Sequence, residues 1–212
     1  MHASSLFGAV LALLLSARAC TPSYSNNPGP SPGVVDPPSP AHFVVKMQLS
    51  SGDQPLFFNI TREWAPLGAD RFYSLVQDGH YNCAGFYRVI PGFIAQFGTA
   101  AEPAQSAKWR QAIPDDPVVQ SNAQWSLTFA TAGPRTRSMQ LFVNYAHNKH
   151  LDREGFAPFG QLTAGFDTAL AIHPFKNSGG PKQGAYMQRG NDYFLMQFPE
   201  ATIIYRAEVV GS

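Results

Sequence analysis

The sequence is poor in charge. Asp, Glu, Lys and Arg make up 14% of its 212 residues, 15 basic against 14 acidic, with no run of Lys or Arg anywhere. Phosphate backbones are held by clustered basic side chains, so nucleic acid is excluded as the main partner. Cysteine is scarce too. Cys20 and Cys83 are too few for a disulfide framework; one bridge between them would tie a loose tail to the domain, and a free Cys83 thiol is the favoured expectation. No Gly-x-Ser-x-Gly elbow, phosphate loop or dinucleotide fingerprint occurs, which leaves hydrolase and nucleotide chemistry without support. Heptads and internal repeats are missing as well. The one long apolar run, "LFGAVLALLL" from Leu6 to Leu15, is about half of what a membrane-spanning helix needs.

Aromatic residues, at 13%, are plentiful instead, and the length suits one domain with a large apolar core and extensions. The apolar run is followed by Ala17-Arg18-Ala19, a small-x-small pattern suited to signal peptidase, although "MHASS" carries no Lys or Arg. Residues 1–19 are therefore expected to be a signal peptide that sends the protein into the secretory pathway or outside the cell, with no stable membrane span in the mature form. A short N-terminal membrane anchor is the alternative. Residues 20–41 read as a flexible linker, since Thr21 to Ala41 holds seven prolines, four serines and two glycines and almost nothing to bury. The folded domain is expected over 42–212. Asn59-Ile60-Thr61 is a glycosylation sequon, usable if Asn59 is exposed and the host pathway is eukaryotic.

Within the domain, "HFVVKMQLS" and "QPLFFNITREW" read as strands around a Ser51-Gly52-Asp53 turn. Pro66 suits a first helical position, Phe72, Leu75 and Val76 form a stripe, and Gly79 can end that helix. Residues 85–98 read as a strand, 99–123 as a long loop, and 125–130, 139–145, 156–163 and 201–210 as further strands, with a short helix near 165–173. Many strands, two helices and long loops predict an all-β fold.

"GFYRVIPGFIAQFG" (residues 85–98) places one charge, Arg88, among aromatic and aliphatic neighbours. Extended, it puts Phe86, Arg88 and Ile90 on one face and Tyr87 and Val89 on the other. Alone, Arg88 is explained by snorkelling to water, Phe93, Ile94 and Phe142 by core packing, and Gln96 and Gln140 as surface polar groups. Together they say more. Alternation on "MQLFVNY" sets Gln140, Phe142 and Asn144 on one face, a mixture of amide and ring that suits a half-polar peptide groove; Ile94, Gln96 and Gly98 repeat it. His147, His150 and Asp152 are metal-ligand types, but no third histidine and no helix face brings them together, so no metal is expected.

Three stretches, "FYRVIPGFIAQFG", "FATAGPRTRSMQLFV" and "HLDREGFAPFGQL", resemble in order the three signature segments of the cyclophilins. The likeness covers about residues 42–210 and points to a divergent branch of secreted or bacterial-like members. It implies an eight-stranded antiparallel β-barrel closed by two α-helices and peptidyl-prolyl cis-trans isomerase activity without a cofactor, in a monomer acting on proline-containing peptides and folding proteins. By motif position Arg88 matches the catalytic arginine, which hydrogen-bonds the prolyl nitrogen. Phe93 and Phe142 match the aromatic walls of the proline pocket, Ile94 stands for its usual methionine, Gln96 and Gln140 match its glutamines, and Leu151 its floor. Ala130 and Thr131 match the strand that pairs with substrate. His150 replaces a tryptophan important for cyclosporin, which weakens that partner; Phe156 falls near a pocket histidine, and Phe97 replaces a glycine at what is expected to be the groove's rim. A proline-peptide binding module with weak or no turnover is the alternative function.

Overall fold

The computed structural model describes residues 20–31, 35–175 and 180–211, so the expected signal peptide lies outside the described residues. Eight antiparallel strands form one curled sheet in the order β3-β4-β6-β5-β7-β2-β1-β8. They are β1 (His42–Leu49), β2 (Leu56–Thr61), β3 (Arg88–Ile90), β4 (Ile94–Phe97), β5 (Ser126–Phe129), β6 (Leu141–Asn144), β7 (Pro158–Ala164) and β8 (Ile204–Gly211). Residues 85–98 are thus two strands around a Pro-Gly turn, where one strand was expected. The ends of the sheet meet just outside β3 and β8. There Gly85 bridges Ile203, and Cys83 and Phe86 donate their N–H groups to Ile204 and Thr202.

Period-two alternation builds the core. On β1, Phe43, Val45, Met47 and Leu49 point inward, and Leu56, Phe58 and Ile60 do so on β2. Asn59 of the sequon is on the exposed side of β2. Helix α1 (Pro66–Gln77) starts at proline, buries Ala69, Phe72, Leu75 and Val76, and ends before Gly79 at φ 72°. The second expected helix is α4 (Phe166–Leu170). Between them, α2 (Pro103–Lys108) and α3 (His150–Arg153) occupy stretches with too few apolar positions to reveal a helical period.

Two further helices, α5 (Gln183–Arg189) and α6 (Asn191–Gln197), meet at Gly190. They bury Tyr186, Phe194 and Leu195 against Tyr87, Ala201 and Ile203 in a second apolar cluster. Gly85 is required here, because a Cβ would sit 2.0 Å from the Phe194 ring.

The segment before β1 overturns two expectations. Cys83 is not a free thiol: it forms a disulfide with Cys20. The segment's described residues form no helix or strand, yet they are strapped to the domain. Ser25 N–H donates to Asp78 O at 3.2 Å, Asn82 to Ser23 O at 3.1 Å, and Ser39 N–H to Asp70 at 2.8 Å. Asp36 pairs with Arg71 at 2.7 Å, both side chains buried. Composition missed this because it measures how much a segment can bury. What holds the strap is a counter-charge for a guanidinium that the core cannot leave unpaired.

Candidate functional site

Cross-strand register assembles the site. Arg88 on β3 faces Gln96 on β4, Gln96 faces Phe142 on β6, and Phe142 faces Thr128 on β5. Residues opposed in register share a face of the sheet, so the charge, the amide and the ring form one row. Alternation on β4 and β6 separates the two sides. Ala95, Phe97, Leu141 and Val143 belong to the barrel core, whereas Ile94, Phe142 and Leu151 form their own cluster with Phe93, Ala130 and Phe156 around it.

That small cluster is the apolar half of the site. Phe156 meets Phe142 edge-on at 5.6 Å between ring centroids, and its N–H donates to Leu151 O at 3.2 Å, which closes the turn after α3. His150 is exposed at the start of α3 and stacks on Phe93 at 6.0 Å. Ala130 and Thr131, expected on the strand that pairs with substrate, lie just past the end of β5, and the Thr131 side chain is engaged locally. Its hydroxyl is bonded to Gly133 and Thr136 within its own turn, so only its backbone remains for a peptide. Phe97 is not on the rim: it is fully buried, with its ring 4.9 Å from Phe86 and 5.5 Å from Tyr81.

The polar half is a chain of hydrogen bonds whose direction Arg88 dictates, since a guanidinium only donates. Arg88 Nη1 donates to Gln96 Oε1 at 3.3 Å, which leaves Gln96 Nε2 to donate to Tyr87 OH at 2.9 Å. The Tyr87 hydroxyl in turn donates to Gln140 Oε1 at 2.9 Å. Burial, ahead of all other causes, raises the Tyr87 pKa well above the usual tyrosine range, so this hydroxyl stays neutral at any working pH. Among the described residues no carboxylate pairs with Arg88, whose side chain bonds Gln96 instead.

A set of amides braces the pocket from behind. Asn148 donates to Phe93 O at 3.0 Å and to Asn144 Oδ1 at 2.7 Å, and Asn144 donates to Ser126 Oγ at 2.9 Å. Asn122 reaches Phe156 O at 2.9 Å and Asp152 at 2.8 Å. Asp152, a metal-ligand type in the sequence, is occupied by these bonds and by Ser121 at 2.6 Å. Burial pushes its pKa up, but those donors and Lys149 outweigh burial and lower it.

Arg88, Gln96 and Gln140 are therefore joined in one network, and Phe93, Ile94, Ala130, Phe142, Leu151 and Phe156 in one apolar cluster, with His150 stacked on Phe93 at its edge. Sequence reasoning missed Tyr87, Asn122 and Asn148, and also Gln183, whose Nε2 donates to Gln140 Oε1. Tyr87 had a signal, the aromatic position just before Arg88; strand alternation hid it by assigning it the opposite face. It lies just before β3, and its ring packs beside Tyr186 at 6.1 Å.

Comparison with known proteins follows the same residues. Residues 44–189 match the family described as cyclophilin type peptidyl-prolyl cis-trans isomerase/CLD. The chain is 33% identical over 117 residues to peptidyl-prolyl cis-trans isomerase-like 3 of Gibberella zeae, covering 51% of this chain and 69% of that one. It is 28% identical over 139 residues to peptidyl-prolyl cis-trans isomerase 10 of Caenorhabditis elegans, covering 62% and 83%. A crystal structure of a cyclophilin type peptidyl-prolyl cis-trans isomerase from Cryptosporidium parvum shares the fold, with a TM-score of 0.60 at 22% identity over 81% of this chain and 99% of that chain. The family match runs from β1 to the end of α5 and so takes in every side chain of the pocket and of the amide network: the chain belongs to the cyclophilin-type peptidyl-prolyl cis-trans isomerase family.

Proposed function

We propose that this chain accelerates rotation about X-Pro bonds in peptides and folding proteins, with Arg88 donating to the prolyl nitrogen. The observation that carries this reading is a guanidinium with no carboxylate partner among the described residues, in the same cross-strand row as a ring of a small apolar cluster kept apart from the barrel core. Arg88 and Phe142 lie two strands apart, about 10 Å between backbones, a gap that the arginine side chain and a pyrrolidine ring fill together.

Rotation about the X-Pro bond is opposed by amide resonance, a barrier of about 20 kcal/mol, and no covalent bond breaks. Catalysis requires only that the twisted amide be held better than either planar isomer. Twisting localises the lone pair on nitrogen and makes it a better acceptor, so a fixed donor there favours the transition state. Phe93, Ile94, Phe142, Leu151 and Phe156 hold the ring while the flanking chain turns. Gln96 aims the guanidinium, and Gln140 and the Ala130–Thr131 backbone hold the substrate's carbonyl and amide groups. A related structure, from Cryptosporidium parvum, was determined in the presence of the dipeptide Ala-Pro, in keeping with a proline-sized pocket on this fold.

The test is a protease-coupled isomerisation assay on residues 20–212 and on Arg88→Ala. Wild type should exceed the spontaneous rate, and the variant should lose roughly 100-fold or more in kcat. Equal, background rates for both would overturn the enzyme. His150 and Phe156, which depart from the family's tryptophan and histidine, give the second reading its footing: a proline-peptide binder with little turnover, tested by peptide binding to the same two proteins. Entry into the secretory pathway is proposed as well, supported by the Cys20–Cys83 bridge, since disulfides persist in oxidising compartments. N-terminal sequencing of the exported protein should begin at Cys20; a chain retained with Met1 would refute cleavage.

A further inference from the structure

Helix α5 reaches the amide network from outside the pocket. Gln183, its first residue, is exposed and donates from Nε2 to Gln140 Oε1 at 2.7 Å. One turn on, Met187 places its sulfur 3.8 Å from Gln140 Nε2, and thioether sulfur is a weak acceptor. Between them Tyr186, fully buried, accepts from Gly85 N–H at 2.9 Å and locks the helix against the strand that leads to Arg88.

The donor sense already followed from Arg88 ends at Gln140. Its Oε1 is claimed by Tyr87 and Gln183, with Gln96 Nε2 farther off at 3.5 Å, while among the described residues its N–H group has only the Met187 sulfur beside it. A side-chain amide so held shows a donor, not an acceptor, to whatever lies in the groove. We propose that Gln183 is a positioning residue for the isomerase reaction: it clamps the Gln140 carbonyl inward so that the Gln140 amide N–H donates to a backbone carbonyl of the substrate. This assignment rests on the isomerase reading above. Holding a carbonyl that is present in both planar isomers and in the twisted state is uniform binding, so the effect belongs in KM and not in kcat.

The experiment changes the donor at position 183 in the chain of residues 20–212, as Gln183→Lys, Gln183→Ala and Gln183→Glu. Lysine only donates and should preserve the clamp. Alanine removes it. A carboxylate only accepts, so it should capture Gln140 Nε2 and turn the amide over. For a proline peptide in isomerisation, KM should stay within about twofold of wild type in Lys, rise about threefold in Ala and rise roughly tenfold in Glu, at nearly constant kcat. The ordering should persist in 0.5 M salt, which screens the added charge. Equal KM values for Lys and Glu, or losses confined to kcat and melting temperature, would overturn the proposal. If wild type shows no turnover the isomerase reading fails by itself, and peptide Kd values for the same variants must then show the same order or the clamp is refuted too.

Discussion

Replacing Tyr87 by Phe removes one oxygen and no packing volume, at a position 3% exposed, where water cannot take its place. Two bonds of 2.9 Å disappear, one from Gln96 and one to Gln140. Gln140 Oε1 keeps Gln183 at 2.7 Å, and Gln96 Oε1 keeps Arg88 at 3.3 Å. The atom left stranded is Gln96 Nε2, whose remaining partner is Gln140 Oε1 at 3.5 Å. One buried neutral donor without a good acceptor costs about 1–2 kcal/mol, which for a chain this size lowers the melting midpoint by roughly 3–6 °C. The functional cost follows from the same atom. Gln96 loses the bond that fixes its amide plane, so its carbonyl no longer aims Arg88, and a loss of about 1.4 kcal/mol at the transition state is tenfold in rate. The variant should show roughly tenfold lower kcat/KM in the protease-coupled assay while remaining folded by circular dichroism. A melting shift of the expected size with kcat/KM within twofold of wild type would refute the aiming role and leave Tyr87 a packing residue.

His80 supplies a pH dependence. Its Nε2 donates to Gly98 O at 2.8 Å, its Nδ1 is buried without a partner, and burial pushes its pKa down from about 6.5 to about 4. The unfolded chain therefore binds the extra proton first, so stability is full above pH 6.5 and about 3 kcal/mol of it disappears between there and pH 4; urea melts at both pH values should show this slope, and His80→Gln should abolish it. Reduction of the Cys20–Cys83 bridge, which spans 63 residues, should cost roughly 4 kcal/mol by loop entropy and about 10 °C of melting temperature. A shift under 2 °C, with reduction verified by mass, would refute that. Phe142→Ala should cost about 3 kcal/mol of stability, the low end for a buried ring, and roughly 30-fold in kcat/KM, because the ring lies in the small apolar cluster and not in the barrel core. Deep destabilisation with normal activity in the folded fraction would place it in the core instead.

How legible the molecule was depended on which physical signal each part carries. Strands β1, β2, β5, β6 and β7 have period-two alternation or dense apolar runs, and their positions were visible within a few residues. Alternation on β4 and β6 also separated Ile94, Gln96 and Phe142 from the core residues between them. Helices α5 and α6 were invisible because each is 7 residues long, too short to show a helical period, and they meet at a glycine. Gln183 could not be found, since nothing local distinguishes an exposed glutamine that bonds a residue 43 positions away. The strap was misjudged for a different reason. Its key residue, Asp36, reads as one charge among prolines until the buried Arg71 it neutralises is known. A chain begun at His42 would strand that guanidinium, which is why the assays above keep residues 20–41.

The disulfide also fixes how mechanical load passes through the molecule. A pull applied upstream of Cys20 crosses the sulfur bridge to Cys83 and bypasses residues 21–82, so β1, β2 and α1 carry no tension along the backbone. The load enters where Cys83 N–H bonds Ile204 O, at the seam that closes the barrel and five positions before Arg88. Tethering the protein by its N-terminal end would thus strain the strand that feeds Arg88 first, and leave α1 unloaded.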